Sequence, residues 1–258
     1  MLFLSGLVKL LLDMSNLTRT RRLRERLQHY FVHHKHCYLC RQTSSELVCK
    51  ACFSDTAIAH FPVPGFDLLM QPSIAQHLVA PYYHHFYALG EYRGILRPLI
   101  NRLKFGNNPI AAQVLTQFFM AFVYPRISQV DDLPDAIVPV PLSMWRFVSR
   151  EYNQARLLAQ ALGQLSKIPV VDCLTRHRHT KAQSQLDREQ RLENIYDAFS
   201  ITKSIKVEHI ALIDDVVTTG ATVNSACAAI VKRYPDITIS IWSIAVTPSK
   251  THTPEKLH

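Results

Sequence analysis

His209-Ile-Ala-Leu-Ile-Asp-Asp-Val-Val-Thr-Thr-Gly-Ala-Thr-Val223 decides how the rest of the chain is read. Residues 210–213 are a short, β-branched apolar run of the kind found in a parallel strand covered on both faces. Asp214 and Asp215 are expected to stop it. Two adjacent carboxylates at a strand's carboxyl end suit vicinal hydroxyls, because an ionised acceptor shortens and strengthens hydrogen bonds from neutral O–H donors. A ribose 2′,3′-diol fits. Thr218-Thr219-Gly220-Ala221-Thr222 follows, with hydroxyls, a glycine that lets the backbone approach closely, and the start of a helical pattern (Val223, Ala226, Cys227, Ile230, Val231). Backbone N–H groups at a helix N-terminus make an anion site, here for a 5′-phosphate. A bare Thr-Thr-Gly is an ordinary strand-to-helix turn; the two acids and the hydrophobic strand before it point to a sugar phosphate.

The segment resembles the phosphoribosyl pyrophosphate (PRPP) motif of type I phosphoribosyltransferases: four apolar residues, two acids, two variable apolar residues (here Val216 and Val217) and Thr-Thr-Gly-x-Thr. Every one of those positions matches. The resemblance implies that Asp214 and Asp215 hold the ribose hydroxyls at the catalytic centre. It also implies that residues 218–222 hold the 5′-phosphate, with residues 214–222 as the PRPP-binding stretch.

With 258 residues, 48% of them apolar, the chain can bury a sizeable core and accommodates one domain plus an accessory module. A net charge of +9 favours polyanionic partners, phosphates or nucleic acid, and says nothing about fold. No apolar run reaches the roughly 18 residues needed to span a bilayer, so no transmembrane helix is expected. Residues 2–12 lack the positive n-region and cleavage site of a signal peptide, and Lys9 interrupts them. Two readings stay open for them: an interfacial helix touching a membrane surface, or an extension upstream of a true start at Met14 rather than Met1.

Cys37-Tyr-Leu-Cys40 and Cys49-Lys-Ala-Cys52 are two Cys-x-x-Cys pairs separated by eight residues. Four thiolates at this spacing surround one tetrahedral zinc, since each tight turn places two sulfurs on the same side of the chain. Disulfides would need an oxidising compartment, which the absence of a signal peptide argues against. His33, His34 and His36 precede the first cysteine and are potential substitutes for one ligand, although the four cysteines suffice. Such a zinc has every position filled, so it stabilises the local fold and performs no chemistry. Cys173 and Cys227 stand alone in apolar surroundings as packing residues.

Residues 17–31 read as a basic amphipathic helix, with Leu23, Leu27, Tyr30 and Phe31 on one face and Arg19, Arg21, Arg22, Arg24 and Arg26 over the remainder. Strands are expected at 82–89, 136–140, 169–172, 210–213 and 238–246, and helices at 93–105, 110–124, 152–165 and 223–232. Alternating strands and helices mean an α/β fold with a mostly parallel sheet and ligands at the strands' carboxyl ends. The expected division is an extension at 1–34, a zinc module at 35–60, the α/β domain at 61–250 and a disordered tail at 251–258.

Val138-Pro139-Val140-Pro141 forces a loop after the second strand, because prolines forbid continued ladder pairing. Arg146, Arg150, Asn153 and Gln154 follow at the mouth of that strand, within reach of a bound anion; Asn153 is equally suited to cap the next helix. Residues 175–199 begin too polar for a core element and carry Arg178 and Arg188 among other basic groups. A mobile basic loop there would close over a pyrophosphate, neutralise the leaving group and exclude water. Arg146, Arg150, Asn153, Gln154, Arg178 and Arg188 are therefore expected on the pyrophosphate side.

These pieces together look like the ComF family, which includes GntX-type proteins. The family carries a cysteine module, a Val-Pro-Val-Pro loop, an Arg-Gly-Phe-Asn-Gln box, a Thr-Arg…Gln…Arg…Asn…Phe segment and the PRPP motif. The likeness runs from about Cys37 to about Val246, with one departure: the box's Gly and Phe are Glu151 and Tyr152 here. An acid at that site would repel pyrophosphate if it pointed inward. The resemblance implies a type I phosphoribosyltransferase fold, a mostly parallel twisted sheet flanked by helices, with structural Zn2+ in the N-terminal module and Mg2+ accompanying PRPP. It also implies a part in DNA uptake or single-stranded DNA handling in natural transformation, in the cytoplasm at the inner membrane beside the DNA-uptake machinery. Active transfer of the 5-phosphoribosyl group to an unidentified nitrogen acceptor, a glycosyltransferase reaction of the pentosyl class, is the alternative, and nothing in residues 60–130 identifies the acceptor.

Overall fold

Strands that are apolar on both faces must be covered on both faces, and the longest strands of this protein are of that kind. A computed structural model describes residues 35–55, 66–78, 81–105, 108–130, 133–142, 152–177 and 198–247. The chain divides into two compact units, Met1–Thr56 and Ala57–His258. The basic helix expected at 17–31, His33, His34, Arg146, Arg150, Glu151, Arg178, Arg188 and the tail at 251–258 lie outside the described residues.

In the first unit the chain doubles back within a few residues. Cys37 N–H donates to Gln42 O at 2.7 Å and Tyr38 N–H to Leu47 O at 2.8 Å, and His36 pairs with Thr43 across a single antiparallel bridge. The described part of this unit ends in a short helix, α1 (Lys50–Asp55).

In the second unit a short helix, α2 (Pro72–Ala75), precedes strand β1 (His85–Glu91). Helices α3 (Leu96–Phe105), α4 (Ile110–Phe122) and α5 (Tyr124–Val130) follow, then β2 (Ala136–Pro139) and α6 (Gln154–Ser166). The short strands β3 (Leu174–Arg176) and β4 (Phe199–Ile201) pair antiparallel as a separate two-stranded sheet. Strand β5 (His209–Val217), helix α7 (Ala221–Arg233) and strand β6 (Thr238–Val246) complete it.

The main sheet has the order β1-β6-β5-β2, and all three pairings are parallel. The route from β1 to β2 and the route from β5 back to β6 cross the sheet in opposite directions. Helix α6 follows β2 on the way out to the parallel bridge at Val170, in the same direction as the first route, so right-handed crossovers place α3, α4 and α6 on one face and α7 on the other. Trp242 of β6 is fully buried against Phe119 of α4, ring centroids 5.5 Å apart, and Tyr124 of α5 meets it edge-on at 6.2 Å. Aromatic pairs of this kind contribute about 0.5–1.5 kcal/mol each beyond their buried area. Residues Ile110–Gln129 are long and apolar enough to cross a membrane by length and composition, beyond what the sequence reading counted, but 61% of the window is buried inside the fold.

The expected strand at 169–172 is reduced to one parallel bridge, Ile137 with Val170. Ile137 N–H donates to Pro169 O and its carbonyl accepts from Val171 N–H. The next donor on that edge would come from Pro139, which has none, so the ladder cannot extend. The first strand begins at His85 rather than 82, and the helix expected from 152 begins at Gln154. The largest correction concerns β5. The acids do not stop it: pairing with β6 continues through Asp214 with Ser243 to Val217 with Val246. Carboxylates tolerate a strand whose side chains reach open space at its end, and here one neighbouring strand stops early.

Candidate sugar-phosphate site and four-cysteine centre

Strand β2 pairs with β5 only as far as Pro139 opposite Ile213, with Val140 N–H donating a last bond to Ile213 O at 3.0 Å. Residues 214–217 of β5 therefore overhang β2. The crevice at this overhang lies at the carboxyl ends of the strands, where open α/β sheets bind ligands. Successive strand side chains alternate faces, so Asp215 shares the face of Ile213 and of Trp242 beside it, and Asp214 takes the other.

Asp215 is buried, and it receives a lysine that the sequence reading did not assign to the site. Lys104 Nζ of α3 stands 3.2 Å from Asp215 Oδ2, with both side chains less than one-fifth exposed. Lys104 also lies 5.9 Å from the Tyr92 ring centroid. A signal existed: Lys104 falls four residues after buried Ile100, a polar residue on the apolar face of its helix.

Asp214 is half-buried, and its carboxyl is pushed up to about 7. Burial is the largest cause and the charge of Asp215 the next; the Asp215 N–H, donating to Asp214 Oδ1 at 2.8 Å, and Lys104 oppose them. The pair thus changes its proton count near neutrality. Below that point Asp214 offers a donor, and above it an acceptor for hydroxyls.

After Val217 the chain turns through exposed Thr218 and Thr219 into Gly220, which caps α7 at φ 74°. Only glycine takes that conformation freely, and a Cβ there would also come 3.1 Å from Leu78 Cδ2 and 3.4 Å from the Tyr83 hydroxyl. Ala221 N–H points at Thr219 Oγ1, 3.5 Å away. The turn leaves the first N–H groups of the thirteen-residue α7 facing outward beside two hydroxyls, an arrangement suited to a phosphate.

Asn153 serves the framework. Its Oδ1 accepts from Ala155 N–H at 3.1 Å, capping α6, and its Nδ2 donates to Val140 O at 3.0 Å, holding the end of β2 in place. Gln154 is buried, 1% exposed, in the first turn of the same helix. Arg146, Arg150, Arg178 and Arg188 fall outside the described residues. The β3–β4 hairpin, which the sequence reading did not foresee, brackets the segment that carries Arg178 and Arg188.

The sulfurs of Cys37, Cys40, Cys49 and Cys52 all lie within 4.8 Å of one another, and all four cysteines are free. Sulfurs about 2.3 Å from a tetrahedral zinc sit about 3.8 Å apart. Cys40 Sγ and Cys49 Sγ are 3.8 Å apart. Backbone N–H groups of Cys49 and Cys52 approach Cys37 Sγ at 3.3 Å and Cys49 Sγ at 3.4 Å, as donors that stabilise thiolates. Burial pushes the Cys37 thiol up, but hydrogen bonds from the backbone of Cys49, Cys40 and Leu39 outweigh it and bring it down to about 6. Burial, then hydrogen bonds to Cys40, Cys49 and Cys37, push Cys52 up to about 12. This centre can hold a metal such as zinc. His36 is exposed and stands outside the cluster.

Comparison with known proteins agrees with this geometry. The phosphoribosyl transferase domain family matches residues 152–257. DNA utilization protein YhgH of Escherichia coli O6:H1 is 30% identical over 215 residues, 82% of this chain and 90% of that protein. Competence protein F of Haemophilus influenzae is 33% identical over 61% of this chain and 70% of its own length. Competence protein ComFC of Bacillus subtilis is 31% identical over 59% and 60% respectively. Among solved structures, adenine phosphoribosyltransferase from Leishmania donovani matches 57% of this chain and 73% of its own at 17% identity, with a TM-score of 0.28. A phosphoribosyltransferase domain behind a four-cysteine centre, with YhgH-like identity along most of its length, places this chain in the ComF family.

Proposed function

We propose that this protein binds PRPP, or a related sugar phosphate, at the overhang of β5 and assists DNA uptake or single-stranded DNA handling in natural transformation. One observation carries the ligand: Asp214 and Asp215 lie where β2 leaves the sheet, one turn before a Gly220-capped helix N-terminus. The acids accept from the ribose hydroxyls, and residues 218–222 hold the 5′-phosphate. Mg2+ would accompany PRPP and supply charge neutralisation at its pyrophosphate. Arg146, Arg150, Arg178 and Arg188 supply positive charge on the pyrophosphate side, Asn153 supports it by fixing the turn after β2, and Gln154 belongs to the same side. Structural Zn2+ occupies the four cysteines.

The names of the relatives, competence proteins and DNA utilization proteins, support the DNA role, as does the charge of +9. Basic groups meet the phosphates of a single strand, and exposed aromatic side chains offer stacking. The proposed place of action is the cytoplasm, with peripheral contact at the inner membrane. Titration of single-stranded DNA across a salt series tests it: affinity falls steeply with salt, and charge reversal at Arg21, Arg22 and Arg24 weakens it further. Binding that ignores both salt and charge reversal contradicts the reading.

An intact acidic pair with its own lysine also favours a second reading, catalysis of phosphoribosyl transfer. An acceptor nitrogen bonds to C1′ as the C1′–oxygen bond to pyrophosphate breaks, and pyrophosphate leaves with the bonding electrons. Pyrophosphate release in the presence of a nucleobase panel tests this. PRPP binding without release by any acceptor removes it.

A further inference from the structure

We infer that Lys104 is a positioning residue of the sugar-phosphate site, supplying the counter-charge that sets how the acidic pair meets a ribose. The inference rests on the PRPP reading above and extends it to a residue that lies before the matched domain at 152–257.

Three ties hold the ammonium where it stands. Lys104 occupies the last turn of α3, with 18% of its side chain exposed, and reaches Asp215 Oδ2 at 3.2 Å. Its stem and charge lie over Tyr92, whose hydroxyl donates to Asn101 Oδ1 at 2.7 Å, one turn earlier on the same helix. Tyr92 is itself fixed to the end of β6, its N–H donating to Val246 O at 2.9 Å. The Tyr152 hydroxyl donates to the Leu103 carbonyl at 2.5 Å and secures the same turn. An exposed lysine on a helix end would sweep solvent; this one is fixed against one oxygen.

That placement has a consequence for ligand chemistry. The charges acting on Asp214 are Asp215, which holds its proton on, and Lys104, which draws it off. Without Lys104 the charge of Asp215 would act on Asp214 with no opposing charge from that lysine, and Asp214 would ionise only at higher pH. Ribose hydroxyls donate to carboxylates, so the pH at which the site accepts them would rise with it. A lysine that merely anchored α3 would leave that pH unchanged.

The test uses the full chain and PRPP with Mg2+. Calorimetric titration from pH 6 to 9 on the wild type, Lys104→Met and Lys104→Arg gives the midpoint at which binding develops. Carboxyl resonances of 13Cγ-aspartate protein without ligand follow the pair directly. Lys104→Met keeps the stem and removes the charge; its midpoint moves up by about one pH unit, about a fivefold loss of affinity at pH 7, and the Asp214 resonance moves with it. Lys104→Arg restores the wild-type midpoint. Should Lys104→Met not fold, as judged by circular dichroism, Lys104→Gln provides the same neutralisation with a polar tip. Wild-type binding with an unmoved midpoint in the neutral variant overturns this inference alone. A wild-type chain that gives no PRPP heat overturns the sugar-phosphate reading and this inference with it.

Discussion

Cys37, Cys40, Cys49 and Cys52 crowd four sulfurs within 4.8 Å of one another, whereas Asp214 and Asp215 are adjacent carboxyls of which Asp215 meets Lys104 at 3.2 Å. Both sites gather negative charge that burial makes costly. The cysteine centre would take its compensation from a cation outside the chain: Cys37 ionises readily, Cys52 resists up to about 12, and a metal would draw four thiolates together. The acidic pair carries its cation on α3. Under the proposed function, one arrangement makes a fold depend on an ion, and the other makes an ion pair serve a ligand.

The sharpest way to break the comparison is at the cysteines. Cys49→Ser removes one ligand and the sulfur that accepts from Cys52 N–H, so zinc content should fall from one equivalent to none. Structural zinc contributes about 10–16 kcal/mol to small modules, so residues 35–55 should become protease-sensitive. Elemental analysis and limited proteolysis check this. Full zinc retention would mean that the cluster tolerates three sulfurs.

Gly220→Ala probes the other side. The left-handed backbone costs an alanine about 1 kcal/mol, and the added methyl must displace Leu78, so PRPP should bind about tenfold more weakly. Asn153→Ala should lower stability by about 1 kcal/mol through the lost cap, and Tm by about 2–4 °C. Asn153→Asp keeps the acceptor for Ala155 N–H, loses the donor to Val140, and should recover part of that loss.

A further effect is on pH. Because Asp214 is raised from the usual carboxylate range to about 7, the ligand-free fold binds an extra proton between roughly pH 4 and 7 and loses stability as pH rises through that window. PRPP affinity should run the opposite way, climbing through pH 7 as Asp214 ionises. Denaturant midpoints and calorimetry at matched pH show the two trends crossing. Parallel trends would detach Asp214 from the ligand.

The two regions also differ in how far the sequence reveals them. Cysteine spacing carried the four-sulfur cluster almost whole, because two Cys-x-x-Cys turns eight residues apart leave the sulfurs little choice. The motif at 209–223 carried the strand and the turn into α7, although it suggested that the acids end the strand; continuation to Val217 depends on β6, a partner that local pattern does not name. Lys104 was the least legible residue. Its meaning lies in a contact with Asp215, 111 positions away by the difference of their numbers, that only the packing of α3 over the sheet creates. Asn153 was legible as a cap and only half so as a clamp on Val140.

The central claim is that the end of β5 is a sugar-phosphate site. Calorimetric titration of PRPP with Mg2+ at pH 8, where Asp214 is ionised, tests it most directly when the wild type is set beside a folded Asp214→Asn/Asp215→Asn variant. Saturable binding at one site per chain in the wild type, weakened by about 100-fold or more in the variant, is the predicted result. Equal binding by the two proteins, or none by the wild type, would contradict it.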